Sequence, residues 1–554
     1  MLKALKSCAT KLSCHLLSIT FSLSFVVSSE RASANPDTES IQENMEEMLI
    51  QQINLIKRYS KQTADYQDSD AFNIQNCHVR LVGFENWLKN NFDKSKISQN
   101  FIKNNGFNLI NNLFELRLDL RKKLHEFSLY SEFQNDNPRR EGCIEGFRVV
   151  FRTLRYIEEY LAESLKMGQQ PNLKVLKGES PTLMINHDFI SNGSFDPRKD
   201  LRSGDILLSR GNAVTSAAIA RIGDRGGQFS HVGIVYIDNE KKIWTVEAHI
   251  EFGSQVAEIS KYLNDGKIRS VVYRHKNHQL AHQAAKIMFE KIKSYSDNNK
   301  GQFIPYDFKM NMDDENELFC SEITSLGFKL AATSDPSIKN FDIPLFKTKM
   351  NYQNRKFFSD IGIPNTVKEI FAPADIDLDP RFDLIAEWRD LNRTKDARTL
   401  DTILSRLYDW MENNQYQFKN PTAEKMLINF VYTTRQYTSF FNETFPRNMS
   451  TSALYTMTSL GKVGTNILEW IQGQETIANT DNPDSFAFTE PEIWSRLESL
   501  RVEDEQNFNS LTRGEKLKKD TKIIFHDRFR SNSVSNNPIS TRWYDTLFEF
   551  NPVK

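Results

Sequence analysis

The sequence predicts an α+β protein, a strand-rich core between two mainly helical extensions. Three observations carry this. Apolar and polar residues alternate across 205–275, apolar residues recur at helical spacing before 180 and after 390, and Pro and Gly are sparse in the first of these flanks. At 554 residues the chain is long enough for about three domains. Its 39% hydrophobic and 26% charged residues are ordinary for a soluble protein, and a net charge of −1 gives no reason to expect a nucleic-acid partner.

Residues 1–34 read as a signal peptide. Lys3, Lys6 and Lys11 form a positive start, 12–27 is an apolar stretch diluted by Ser, and Ala32-Ser33-Ala34 is a small-x-small cleavage site. Export, to the periplasm, is expected, with no stable membrane span once the leader is cleaved. Cys8 and Cys14 leave with it, so Cys77, Cys143 and Cys320 remain. In an oxidising compartment Cys77 and Cys143 can pair, which leaves Cys320 as the odd thiol.

Residues 35–180 read as a helical domain. Met45, Met48, Leu49, Ile53 and Ile56 form one amphipathic face. Phe107, Leu109, Ile110, Leu113 and Leu116 form a second, and Val149, Phe151, Leu154, Ile157 and Leu161 a third. The basic run R-L-D-L-R-K-K at 117–123 is expected to be a solvated helix face. A loop at 181–200 opens the next domain, 181–390. Strands are predicted at about 205–209, 231–237, 243–249, 256–259 and 268–274, a short helix at 213–221, and a longer one over A-A-K-I-M-F-E-K-I-K. From 391 to 554 the chain returns to helix, seen in L-D-T-I-L-S-R-L-Y-D-W-M, in 423–440 and in G-K-V-G-T-N-I-L-E-W-I, with 472–490 as loop.

The chemistry sits in three places. His231 and Glu247 lie on neighbouring strands joined by D-N-E-K. A short loop centred on Asn239 puts them directly opposite each other, whereas a shift of the centre by one residue pairs His231 with His249. Cys320 precedes Ile323, Leu326 and Leu330 at helical spacing, so it opens a helix, where backbone N–H groups and the helix dipole favour a thiolate. Glu322 opposes this if it points inward. Cys, His and an orienting carboxylate form an activated nucleophile with a positioned base. Asp205 reads as a turn residue leading into its strand. Tyr306 is either a hydrogen-bond donor in the site or a half-buried aromatic. No C-x-x-C, H-E-x-x-H or other ligand spacing argues for a metal, and no motif calls for a cofactor.

The blocks G-D-I-L-L-S-R-G at 204–211, S-H-V-G-I-V at 230–235, V-E-A at 246–248, P-Y-D-F at 305–308 and F-C-S-E at 319–322 resemble, in order, those of the permuted papain-like amidases. This is the YaeF/YiiX-type group, related to NlpC-type cell-wall peptidases, and the resemblance runs from about 200 to 390. It implies a permuted papain-like core, an antiparallel strand half-barrel with helices. It also implies a cysteine amidase with Cys320, His231 and Glu247 as catalytic residues, acting on a peptide or amide-bearing substrate of the cell envelope. Two alternatives stand beside it: lipid or thioester acyl chemistry on the same core, and a non-catalytic binding module attached to helical partners.

Overall fold

The computed structural model describes residues 73–91, 99–165, 180–334, 341–350, 355–419, 449–481, 487–517 and 521–531, with breaks at 192, 224–225 and 313 and a few further positions between 429 and 433. The leader, the helical face at 45–56 and most of the stretch at 423–440 lie outside these residues.

Seven strands form one antiparallel sheet: β1 (Leu183–Ile185), β2 (Ile206–Arg210), β3 (His231–Ile237), β4 (Ile243–His249), β5 (Gly253–Glu258), β6 (Arg269–His275) and, last in the chain, β9 (Phe382–Arg389). Their order across the sheet is β1-β9-β6-β2-β3-β4-β5. One face buries Leu183, Leu207, Val235, Val272, Ile385 and Trp388 together with Phe195 and Tyr262. On the other, Tyr236 and Trp244 meet Phe289 of the long helix α7 (His278–Asn298), with ring centroids 4.6 and 5.7 Å apart. That helix starts where Asn277 accepts a hydrogen bond from the Leu280 N–H, an ordinary N-cap. The short helices α5 (Val214–Ala220) and α6 (Ile259–Asn264) follow β2 and β5. Helix α8 (Cys320–Thr333) packs on α7 and on β3. Beyond it lie the two-stranded ladder β7 (Thr348–Lys349) with β8 (Glu369–Ile370), the helix α9 (Arg355–Ile361) and a 3-10 turn at Pro373–Leu378.

Ahead of the sheet come α1 (Cys77–Asn91), α2 (Gln99–Ser128), α3 (Ser131–Asn135) and α4 (Asn137–Ser164). A disulfide between Cys77 and Cys143 ties α1 to α4, and Cys320 remains a free, buried thiol. After the sheet come α10 (Leu391–Asn413), α11 (Thr451–Asp481) and α12 (Glu490–Thr512), with a small ladder of β10 (Tyr416–Phe418) and β11 (Phe529–Ser531). The reading of 472–490 as loop is corrected: α11 continues to Asp481. Its last turns are polar and largely exposed, so the apolar periodicity that marks the earlier turns is missing there.

The expectation of a solvated face at 117–123 is also overturned, because carboxylates distant in sequence converge on this basic run. Arg117 is buried and donates to both oxygens of Glu158 at 2.8 Å and to Glu387 of β9 at 2.9 Å. Arg389 donates to Glu158 and Glu387 at 3.0 Å, Arg155 to Asp377 at 3.1 Å, and Arg269 to Glu159 at 2.5 Å. Arg121 donates to the carbonyls of Asp377, Asp379 and Phe382. The surrounding guanidinium groups of Arg117, Arg155 and Arg389 outweigh burial and hold the Glu387 carboxyl far below its usual range. Only Lys122, paired with Asp188, reaches solvent as expected. The C-terminal helices are fastened the same way. Asp401 of α10 accepts from Arg210 at 2.7 Å and Arg221 at 2.9 Å, and Arg398 pairs with Glu163 of α4 at 2.7 Å.

Candidate active site

The β3–β4 hairpin sets the geometry. Gly233 pairs with Glu247 and Ile237 with Ile243, so the connection is the five residues 238–242. Asp238 organises it, accepting from the N–H groups of Glu240 and Lys242 and from the Trp244 indole, while Lys241 takes a left-handed conformation with φ of 65°. The loop centre is therefore Glu240 and not Asn239. The direct pairing of His231 with Glu247 is corrected: Gly233 lies opposite Glu247, and the same register continued by two residues brings His231 opposite His249. Their rings lie 4.9 Å apart.

Glu247 nevertheless reaches His231 diagonally, with Oε2 2.7 Å from the ring Nε2. Gly233 makes this possible. A Cβ there would lie 2.8 Å from the Glu247 Cγ, so the carboxylate chain occupies the space a side chain would fill. Thr245 donates to the other oxygen, Oε1, at 2.8 Å. Glu247 is 2% exposed, yet the hydrogen bond from His231 and the His249 ring, 3.5 Å away, overcome burial and hold its carboxyl well below the usual range. An ionised carboxylate can only accept, so the Nε2 of His231 carries the proton and Nδ1 keeps its lone pair. Burial outweighs the pull of Glu247 and keeps the imidazole pKa below its ordinary 6.5, so the ring is neutral at pH 7.

Cys320 is the first residue of α8, as its sequence predicts, and is 5% exposed. Its sulfur lies 3.9 Å from the Ser321 hydroxyl, with the backbone N–H groups of Val232, the neighbour of His231, and of Cys320 and Ser321 at the helix start close by. These favour the thiolate, but burial is larger and pushes the thiol above its ordinary value of 9.0. The expected preference for thiolate is thus reversed in the resting site. Glu322 turns back to cap the helix, Oε2 accepting from the Phe319 N–H at 3.2 Å. Burial pushes its carboxyl up to about 8, so it is mostly neutral at pH 7 and does not oppose charge on the sulfur.

Tyr306 is fully buried rather than half-buried, and its hydroxyl neighbours Cys320. Its segment is seated by Gly253, at φ 100°, where a Cβ would lie 2.2 Å from the Ile304 oxygen; the Ser254 N–H donates to that oxygen at 2.8 Å. Asp205 is structural, paired with Arg274 at 2.7 Å.

Residues 200–368 match the family of permuted papain-like amidase enzymes, YaeF/YiiX, C92. The matched segment contains β2 to β7 and α5 to α9, with His231, Glu247, Tyr306 and Cys320, and ends just before β8. A solved structure titled as the metalloprotein yiiX from Escherichia coli O157:H7 aligns at 16% identity, covering 33% of this chain and 96% of its own, with a TM-score of 0.25. No curated protein matches the chain. Sequence spacing gave no sign of a metal site. Yet the segment brings one donor atom each from His231, Glu247 and His249 within 4.8 Å of one another. The two strands do this, since residues two apart share a sheet face. Among the described residues no helix is long and apolar enough to cross a membrane.

Proposed function

We propose that this protein is an exported cysteine hydrolase that cleaves amide bonds, with cell-wall peptides as its substrate class. In this reading residues 1–34 are a cleaved leader, the seven-stranded sheet with α7 and α8 is a papain-like half-barrel core at 181–390, and 35–180 and 391–554 are helical extensions. The observation that carries it is the 2.7 Å pair between His231 and Glu247, with a buried cysteine opening the helix α8 that packs on the strand of His231.

The roles follow from the atoms. Nδ1 of His231 takes the thiol proton as Cys320 Sγ attacks the amide carbon, and the imidazolium that forms is stabilised by Glu247 through Nε2–H. The oxyanion of the tetrahedral intermediate meets the Cys320 N–H at the start of α8, a donor in place before reaction. His231 then passes its proton to the leaving amine, and water hydrolyses the thioester. The Tyr306 hydroxyl fixes the sulfur between attacks. Because both Cys320 and His231 rest neutral, charge separates only once substrate displaces water from the site.

Product analysis tests the reading. Purified peptidoglycan incubated with the secreted protein should release new amines, and Cys320→Ala should release none. Release of fatty acid from lipid or thioester substrates, with peptidoglycan untouched, would replace the amide substrate by an acyl one; no turnover on either would leave a binding module.

A further inference from the structure

The hydrolytic roles use His231 and Glu247 but leave His249 idle. Its Nε2 is buried without a hydrogen-bond partner among the described residues, 3.5 Å from Glu247 Oε2. We propose that His231 Nε2, Glu247 Oε2 and His249 Nε2 form a binding site for a divalent transition cation of the zinc type, and that the cation competes with the proton shared by His231 and Glu247.

The donor set decides the class of ion. Two imidazoles and one carboxylate suit zinc and its neighbours, whereas calcium and magnesium take oxygen ligands. Donors about 2.0–2.2 Å from a tetrahedral zinc lie roughly 3.3–3.5 Å from one another. The 3.5 Å separation already fits, the 2.7 Å hydrogen bond has to open by less than an ångström once its proton is gone, and the two imidazoles, in a group whose donors span up to 4.8 Å, have to close on the ion. Both histidine side chains retain some exposure, 16% and 17%, so the site borders solvent although the His249 donor atom itself is covered. Thr245 holds Glu247 by Oε1, which leaves Oε2 for the ion and supplies the outer hydrogen bond that metal-bound carboxylates usually have.

The consequence for catalysis rests on the hydrolase reading above. A cation on Nε2 requires the lone pair there, so the single proton of the neutral His231 moves to Nδ1. That nitrogen can no longer accept the thiol proton, and Glu247 is committed to the ion. The site therefore exists in two exclusive states, one holding a proton and reactive, the other holding metal and silent.

Equilibrium dialysis of the full chain against zinc chloride, paired with labelling of Cys320 by a thiol probe, tests this. One zinc per chain is expected for the unaltered protein and for Cys320→Ser. His249→Ala, with His249→Gln as a second variant should the first misfold, should weaken binding by at least about 10- to 100-fold. Zinc should suppress labelling of Cys320, a chelator should restore it, and His249→Ala should shift the suppression to correspondingly higher zinc. No bound zinc, or binding lost in Cys320→Ser and kept in His249→Ala, overturns the site; bound zinc without suppressed labelling overturns the competition. A zinc-free protein whose Cys320 never labels would instead refute the hydrolase reading and leave the dialysis result to decide the site.

Discussion

Replacing Gly233 by alanine is a demanding perturbation, because strand propensity and site geometry predict opposite signs. In a strand interior Gly is ordinarily worse than Ala by about 0.5–1 kcal/mol, so Gly233→Ala judged by propensity alone should stabilise. Here the new Cβ would lie 2.8 Å from Glu247 Cγ and 3.5 Å from its Cδ, with the Val246 oxygen at 3.4 Å. Ordinary carbon contacts are about 3.5–4.0 Å, so the Glu247 side chain must retreat by roughly 1 Å. That carries the 2.7 Å bond to His231 beyond hydrogen-bonding range. Overpacking costs about 1–3 kcal/mol, and losing a buried charge-assisted bond about 1.5–3 more. The expected result is a loss of roughly 2–5 kcal/mol in urea unfolding. Turnover should fall by about 100-fold, the usual penalty for misplacing a catalytic group by 1 Å. A Gly233→Ala protein as stable and as active as the parent would refute the argument that Glu247 crosses the strand through this gap.

Three further outcomes follow. Alkylation of Cys320 by iodoacetamide should rise steeply through pH 9 without a plateau near neutrality. The thiol is raised above 9.0, leaving less than about 1% thiolate at pH 7, and His231, lowered below 6.5, stays neutral as pH falls through that value; a flat profile from pH 5 to 8 would indicate a resting thiolate–imidazolium pair instead. Arg117→Met should destabilise the protein by about 1.5–3 kcal/mol in denaturant titration, since Glu158 and Glu387 lose buried charge-assisted donors and are left to Arg389; an unchanged midpoint would show that Arg389 alone satisfies them. Glu247→Gln should retain more turnover than Glu247→Ala, because an amide oxygen can still accept from Nε2 without stabilising its charge, and activity that survives Glu247→Ala but vanishes in His249→Ala would transfer the orienting role to His249.

What the sequence reveals depends on how local the cause is. Strands β2, β3, β4 and β6 are readable because each alternates or concentrates apolar residues between turn signals, and Cys320 at a helix start is readable from the periodicity that follows it. Strand β9 is not, because Asp383, Glu387 and Arg389 break its apolar pattern; the last two are buried among guanidinium groups and carboxylates from α2, α4 and their own strand. The same long-range convergence hides the burial of Arg117 and Arg121. The hairpin register turns on one residue of loop length, decided by Asp238 gathering three donors and by the left-handed Lys241, neither of which the pattern of apolar residues encodes. Strand parity, by contrast, is secure in either register, so His231, Glu247 and His249 share a face whichever pairing holds. Tyr306 at the thiol has a local signal only in hindsight, since its placement comes from Gly253 meeting the Ile304 carbonyl.

The hydrolytic mechanism requires Cys320 to form a covalent acyl intermediate. Intact-mass spectrometry of the full-length protein, quenched in acid within the first turnovers on an amide substrate bearing a sluggish acyl group, reads this directly. The expected result is one added acyl mass, released by hydroxylamine and mapped by peptide digestion to Cys320, accumulating in the parent and absent in both Cys320→Ala and His231→Ala. Turnover with no adduct on Cys320, or turnover that persists in Cys320→Ala, would contradict it.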